Sequence, residues 1–334
     1  MSIIIPIHNS GQYLEKCVES ILSQITPSDE IILVDDASTD NSLSLCYVFE
    51  DIYPESVRVI AKERQSGPSD SRNLGTRLST GRFICYVDSD DWLAPNALNE
   101  MYTYAVSNNC DIVQSGFYYA YDGYLLFDKR LKKVFPYSQN ISPKEAISHL
   151  IKDGLFYNFI WGKIYKSEIA KSFLFPVDVS MGEDLYWQHR VVDSASRIGI
   201  LPNCFYYYRQ NQQSISNNFS ENHITLLFAL EDRLSFVREN YMELYPEMLF
   251  SYWKQAYESM TIAKRYGDDT CWQIFDNYWK ELNIKYQQDI AYTLKNNIEY
   301  KLFHRSESLL RMFLLIKRIM SRFYSNYHKI TIKK

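Results

Sequence analysis

The chain has 334 residues, 46% hydrophobic and 23% charged, with a formal net charge of −4. That length fits two domains or one large one, and the composition excludes disordered, collagenous and disulfide-dense classes. No run of about 18 uncharged apolar residues occurs, so no transmembrane helix is expected.

The opening residues, Met1-Ser2-Ile3-Ile4-Ile5-Pro6, lack the basic lead and apolar length of a signal peptide. Six cysteines (17, 46, 85, 110, 204 and 271) form no CxxC pair and no zinc-ligand spacing, and read as reduced core thiols. A soluble, cytoplasmic protein is expected. Charge is unevenly distributed: residues 301–334 hold nine Lys/Arg against one acid, Glu307, which leaves the first 300 residues strongly acidic. Basic charge confined to the last tenth of an acidic chain argues against a nucleic-acid partner and points the tail at an anionic surface.

In chain order, Ser2–Ile7 reads as a strand. Leu14, Cys17, Val18, Ile21, Leu22 and Ile25 then recur at helical spacing from Gln12 to Ile25. Glu30–Val34 is a second strand closed by Asp35-Asp36, a helix capped at Asp40 or Asn41 runs through Glu50, and Val57–Ala61 is a third strand. Ser69–Leu78 reads as a short helix and Phe83–Val87 as a fourth strand, with a further helix starting near Pro95. This alternation predicts a mostly parallel sheet with helices on both faces, whose ligands bind beyond the carboxyl ends of the strands. Asp111–Tyr121 adds strand, Tyr124–Tyr137 reads as a looping excursion, and Ser142-Pro143-Lys144-Glu145 starts a helix with a capping-box pattern. Cys204–Arg209 is an aromatic strand. Beyond about residue 216 strand signals fade into helical segments, so the domain boundary falls at 216/217.

Asp88-Ser89-Asp90-Asp91 is the densest chemical signal. Three carboxylates at a strand end repel one another, which admits two readings: a solvated acidic turn capping the next helix, or a divalent cation with a phosphate-bearing ligand. Neither a G-x-G-x-x-G turn nor a G-x-x-x-x-G-K-[ST] loop is present, so phosphates need a carboxylate-held Mg²⁺ or Mn²⁺. Asp35-Asp36 at a second strand end reinforces that reading.

Several segments, in order, resemble family-2 glycosyltransferases: Ser2–Asn9, Val34–Asp40, Ser71-Arg72-Asn73-Leu74-Gly75, Tyr86–Asp91, Trp161–Tyr165, Gly182-Glu183-Asp184 and Tyr207-Tyr208-Arg209. The resemblance covers about residues 1–215. It implies a GT-A fold, a Rossmann-like mixed, mostly parallel sheet with flanking helices, followed by a smaller helical C-terminal region (217–334). It also implies inverting transfer of one sugar from a nucleotide-diphosphate sugar, with a UDP-sugar as donor. Carried over position by position, Pro6, His8, Asn9, Asp35 and Asp36 would hold the nucleobase, and Arg72 would orient the nucleotide. Asp88 and Ser89 would touch ribose or metal-bound water. Asp90, with Asp88, would ligate the metal, and Asp184, beside Glu183, would be the general base. Trp161, Lys163, Tyr208 and Arg209 would serve acceptor or diphosphate. His8 departs from the tyrosine that many members carry there. An acidic pair such as Glu183-Asp184 also suits a helix N-terminus through the dipole alone.

The family's processive synthases carry Q-x-x-R-W and spanning helices. Here Gln188-His189-Arg190 stands without spans, which favours single addition. The expected acceptor is a glycan or lipid-linked oligosaccharide of a bacterial surface polysaccharide. A nucleotidyltransferase and a catalytically inactive glycan-binding module are the rivals, and a homodimer is compatible with the chain. Residues 306–325 read as one helix with Arg311, Arg318 and Arg322 on one side and Leu309, Phe313, Ile316, Met320 and Phe323 on the other. It either packs on its own domain or lies on the inner face of the plasma membrane as a peripheral anchor.

Overall fold

The computed structural model describes all residues except 135, 153, 211–218, 296, 307–311, 313–326 and 332–334. The chain divides into two compact units, Met1–Gln212 with His328–Lys334, and Gln213–Tyr327.

In the first unit the elements run β1 (Ser2–Ile7), α1 (Gly11–Leu22), β2 (Glu30–Asp35), α2 (Ser42–Ile52), β3 (Val57–Ala61), α3 (Pro68–Leu78) and β4 (Phe83–Tyr86). They continue through β5 (Trp92–Leu93), α4 (Ala97–Asn108), β6 (Ile112–Tyr121), β7 (Tyr124–Asp128), α5 (Lys129–Val134), β8 (Gln139–Ile141) and α6 (Pro143–Ile151). The unit closes with β9 (Lys163–Lys166), α7 (Ser167–Ser172), α8 (Glu183–Asp193) and β10 (Ile198–Arg209). One sheet runs β11-β7-β6-β9-β4-β1-β2-β3, with β10 paired to β5, β6 and β8; β11 is the C-terminal strand Tyr327–Thr331.

β1, β2 and β3 pair in parallel, and β1 pairs in parallel with β4 on its other side. Because the order reverses there, the crevice beyond the carboxyl ends of β1 and β4 is the topological switch point where such sheets bind ligands. β9 is antiparallel to both β4 and β6, while β10 is parallel to β6. β4, β6 and β10 therefore end at the same edge. The alternating faces of β1 and β2 and the Leu14, Cys17, Val18 and Ile21 stripe of α1 are fully buried, which is what seats α1 on the sheet.

Tyr124–Tyr137, read as a loop from its polarity, instead contains β7 and α5. β7 folds back antiparallel on the end of β6 through Asp122-Gly123, with Gly123 at φ +81°. The cysteines are all free thiols, and all but the half-buried Cys204 are buried.

The second unit holds α9 (Ile224–Asn240), α10 (Tyr245–Tyr266), α11 (Asp269–Lys285), α12 (Gln287–Thr293) and α13 (Ile298–Arg305). Its core is aromatic, with Trp253, Tyr257, Trp279 and Phe303 in mutual contact at ring-centroid separations of 5.4 to 6.3 Å. Glu231 accepts hydrogen bonds from Tyr278, Lys285 and Tyr286. Expectation and structure differ at the end of the chain: the reading of 217–334 as helical did not foresee Tyr327–Thr331 as a strand of the first unit's sheet. The basic helix read at 306–325 lies outside the described residues. Among the described residues, no helix is long and apolar enough to cross a membrane.

Candidate functional site

Two loops at the carboxyl ends of β1 and β2 are locked together. His8 Nδ1 lies 2.9 Å from the Asp36 carbonyl, and Asn9 Oδ1 accepts from the Thr39 amide at 2.8 Å. Asn9 and Ala37 both sit at positive φ (50° and 53°), a conformation costly for a residue with a Cβ and one that clusters at ligand sites. Asp36 is buried and saturated: it accepts from the Ser66 and Gly67 amides (2.9 and 2.7 Å) and pairs with Lys62 at 2.6 Å. Gly67 at φ +88° aims its N–H at that carboxylate just before Pro68 opens α3. Asp35 differs. One oxygen accepts from the Ser38 amide at 3.0 Å, and the other, Oδ1, is buried with no hydrogen-bond partner among the described residues. An orphaned buried acceptor is expensive unless a ligand donor completes it. Pro6 takes its place in the β1–β2 ladder opposite Val34.

At the end of β4 the three carboxylates separate into distinct environments. Asp91 is buried, with Oδ2 accepting from the Tyr206 hydroxyl at 2.7 Å and Oδ1 from the Arg209 amide at 2.7 Å. It fastens β10 to this turn rather than capping α4, the role its sequence position suggested. The Tyr206 hydroxyl also lies 3.2 Å from the Asp88 amide as its acceptor. Ser89 is buried, its hydroxyl 2.7 Å from that of Ser10, so it links the turn to the start of α1. Asp88 gives one oxygen to Arg72 at 3.0 Å. Asp90 keeps its carboxylate oxygens out of these bonds, and burial, then the neighbouring Asp88 charge, pushes its pKa up to about 6. A carboxylate held near a second one and half out of water is the group a hard cation would relieve. No trio of His, Cys, Asp and Glu side chains is gathered as a metal cluster among the described residues. The fit is therefore to a cation taking one or two carboxylates and completing its shell from a ligand.

Arg72, on α3, is 6% exposed and joins the halves of the site: Nη2 to Asp88 at 3.0 Å and Nη1 to Glu183 at 2.8 Å. Glu183 and Asp184 form the first turn of α8, entered through Gly182 at φ +88°. Asp184 Oδ1 accepts from the Leu185 amide at 2.8 Å, and its charge acts on Lys163.

Arg209 points its guanidinium over the rings of Tyr13 (4.6 Å) and Trp92 (4.8 Å), with Nε donating to the Asp90 carbonyl at 2.7 Å. Lys16 covers Trp92 at 3.3 Å from the ring centroid. The sequence reading missed Tyr206, Tyr13, Lys16 and Trp92. Only the alternation along Tyr206–Arg209 hinted that two faces of β10 serve two purposes.

Lys163 corrects an expectation. It is fully buried, its ammonium donating to the carbonyls of Tyr157 (3.1 Å) and Phe159, and so is not placed to reach a diphosphate. Burial holds its pKa well below the usual lysine range. Lys163→Met is expected to lower stability by about 1–3 kcal/mol, because both carbonyls lose their donor. A urea-unfolding midpoint equal to that of the parent chain would refute this structural role. Trp161 is 7% exposed and stacked on Tyr206 (4.5 Å) and on half-buried Tyr208 (5.0 Å).

A β3-β2-β1-β4 parallel sheet, closed by antiparallel β9 and carrying carboxylates at its carboxyl edge, is the GT-A fold of nucleotide-sugar transferases. The chain belongs to glycosyl transferase family 2, whose sequence profile matches residues 2–174.

Among curated relatives, the minor teichoic acid biosynthesis protein GgaA of Bacillus subtilis is 30% identical over 64% of this chain and 48% of its own length. The chain spans only 37% and 40% of two Streptococcus pneumoniae glycosyltransferases, GlyA and GlyG, that it also matches. By fold it resembles Staphylococcus aureus TarS 1–349 in complex with UDP-GlcNAc (TM-score 0.56, 17% identity, 84% of this chain and 91% of that one). It also resembles the mannosyltransferase PcManGT of Pyrobaculum calidifontis in complex with GDP-Man and Mn²⁺ (TM-score 0.53, 14% identity, 92% and 84%).

Proposed function

We propose that this protein transfers a single sugar, with inversion, from a UDP-sugar to a hydroxyl of a glycan or lipid-linked acceptor in bacterial surface polysaccharide synthesis, and that it requires a divalent cation. The observation that carries this reading is Arg72, whose one guanidinium ties Asp88 of the carboxylate turn to Glu183 beside Asp184. Donor-side and acceptor-side carboxylates are thereby held a few ångströms apart, as a single displacement needs. The surface-polymer setting is supported by the likeness to GgaA, and a nucleotide-sugar donor by the fold shared with TarS and PcManGT.

In this reading the unpartnered Asp35 Oδ1 accepts from a nucleobase N–H, and the His8–Asn9 turn borders the base. Arg209 faces the diphosphate. Asp90, with the free oxygen of Asp88, would hold Mn²⁺ or Mg²⁺, which when bound offsets the charge of the departing nucleotide diphosphate. Asp184 accepts the proton of the attacking hydroxyl. The acceptor oxygen bonds to the anomeric carbon as the bond to the β-phosphate oxygen breaks, and UDP leaves.

A thermal-shift screen of nucleotide sugars with and without Mn²⁺ tests this. One UDP-sugar is expected to raise Tm only with metal, and Asp90→Asn is expected to abolish the metal-dependent increment. Equal stabilisation of Asp90→Asn would remove the cation from this site. Release of pyrophosphate rather than UDP would convert the reading to nucleotidyl transfer.

A further inference from the structure

Beside the carboxylate turn, Lys16 and Arg209 hold two positive charges against one indole. The Lys16 ammonium lies 3.3 Å from the Trp92 ring centroid, and the Arg209 guanidinium lies 4.8 Å from it. Neither side chain forms an ion pair among the described residues. Arg209 spends only Nε, on the Asp90 carbonyl at 2.7 Å; its two Nη groups have no hydrogen-bond partner there and are not sealed from solvent. Lys16 is exposed and Arg209 half-buried, so a ligand can reach both.

The chain brings these groups together by simple spacing. Tyr13 and Lys16 stand three apart on α1 and share a face. Trp92 lies opposite Tyr207 in the β5–β10 pair and stacks on it (5.0 Å, 9°). Arg209 follows Tyr207 by two positions, leaves β10 on the same face, and lies 4.6 Å from the Tyr13 ring. The rings are spent on packing and on holding the cations. What stays open is the ammonium and the outer edge of the guanidinium.

Like charges gathered in this way oppose each other. Partial burial, then the Arg209 charge, lowers the Lys16 pKa. The ring quadrupole offsets part of that repulsion, and an anion seated against both head groups would offset the rest. The planar fork of Arg209 and the point charge of Lys16 together suit a tetrahedral phosphate, which has oxygens for both.

We propose that Lys16 and Arg209 together hold a phosphate group beside the Asp88–Asp91 turn, Lys16 being the second cation of that site. Two sources share this chemistry, the diphosphate of the donor and a phosphate ester on the acceptor. The donor source rests on the transferase reading above, in which Arg209 faces the diphosphate. It is favoured by the bond to the Asp90 carbonyl, which sets the guanidinium against the turn that would carry the cation.

Titration calorimetry on the full chain with Mg²⁺ tests this, using UDP, uridine and methyl phosphate on the parent, Lys16→Met and Lys16→Arg. Methionine keeps an apolar stem against Trp92 and removes only the charge. For the donor source, Lys16→Met is expected to weaken UDP about tenfold, the size of one charge-assisted hydrogen bond, and to leave uridine within about twofold. For the acceptor source, UDP is unchanged, methyl phosphate binds the UDP-loaded parent, and Lys16→Met weakens that second event about tenfold. Lys16→Arg should keep parent affinities in either case.

No loss of UDP or of methyl phosphate in Lys16→Met, a loss of uridine equal to that of UDP, or a Lys16→Arg variant as weak as Lys16→Met would each overturn the site. A parent chain that binds neither UDP nor uridine would instead sink the transferase reading, and methyl phosphate would then test the pair of cations by itself.

Discussion

Asp184→Asn is expected to lower acceptor-dependent turnover by about 10² to 10⁴-fold, the range contributed by a positioned general base. Asparagine keeps the size of the side chain and an oxygen for the Leu185 amide, but it cannot take up a proton at neutral pH. Nucleotide affinity should be nearly unaffected, because the residues proposed to hold the nucleobase and diphosphate lie at the ends of β1, β2, β4 and β10 rather than on α8. Titration calorimetry with UDP and Mn²⁺ alongside UDP-release kinetics separates the two effects. Full turnover in the variant would remove Asp184 from the proton transfer. Loss of UDP binding in parallel would show that the substitution had disturbed the Arg72–Glu183 pair next to it.

The second large effect is structural and falls on Arg72. Its guanidinium is buried, and both the Asp88 and Glu183 charges hold it in the ionised state. Arg72→Met leaves those two carboxylates facing a site from which their cation has gone. Breaking a buried pair in this way costs about 3–5 kcal/mol. For a unit of this size that corresponds to a Tm drop of about 6–20 °C. The partners are still 27% and 20% exposed, and water reaching them moves the expected value toward the lower end. Adding Glu183→Gln should recover part of the loss, giving a coupling energy of about 0.5–3 kcal/mol in the double-mutant cycle. A shift below about 2 °C in the single variant, or strict additivity in the cycle, would show that the bridge carries little stability.

Much of the catalytic unit was legible because its strands are short apolar runs and its helices carry clean 3.6-residue stripes. β1, α1, β2, α2, β3 and β4 all fall where periodicity placed them. β7 and α5 were missed because the basic run at Lys129–Lys133 dominated the reading of Tyr124–Tyr137, although Tyr124-Leu125-Leu126-Phe127 is an apolar run that pairs with the end of β6. Family resemblance brought the right residues to attention but could not assign their surroundings. Lys163 was carried over as an acceptor or diphosphate residue because the Trp161–Tyr165 segment resembles the family's motif. Its burial depends on carbonyls four and six residues upstream that fold back over it.

The sequence by itself determined the open α/β sheet, the placement of Asp35-Asp36 and Asp88–Asp91 at strand ends, and membership of the glycosyltransferase class. The first two follow from local periodicity, and the class from the resemblance of short segments, in order, to family-2 glycosyltransferases. Only the tertiary structure decided which contacts each carboxylate makes. Asp91 is spent on Tyr206 and Arg209, Asp36 on Lys62 and two amides, and one oxygen of Asp88 on Arg72, whereas Asp35 Oδ1 is buried with no hydrogen-bond partner among the described residues. Those assignments rest on contacts between residues up to 118 positions apart, such as the Arg209 amide on Asp91. A carboxylate's charge, hydration and free oxygens are properties of its neighbours in space, and for contacts that distant no local pattern records them.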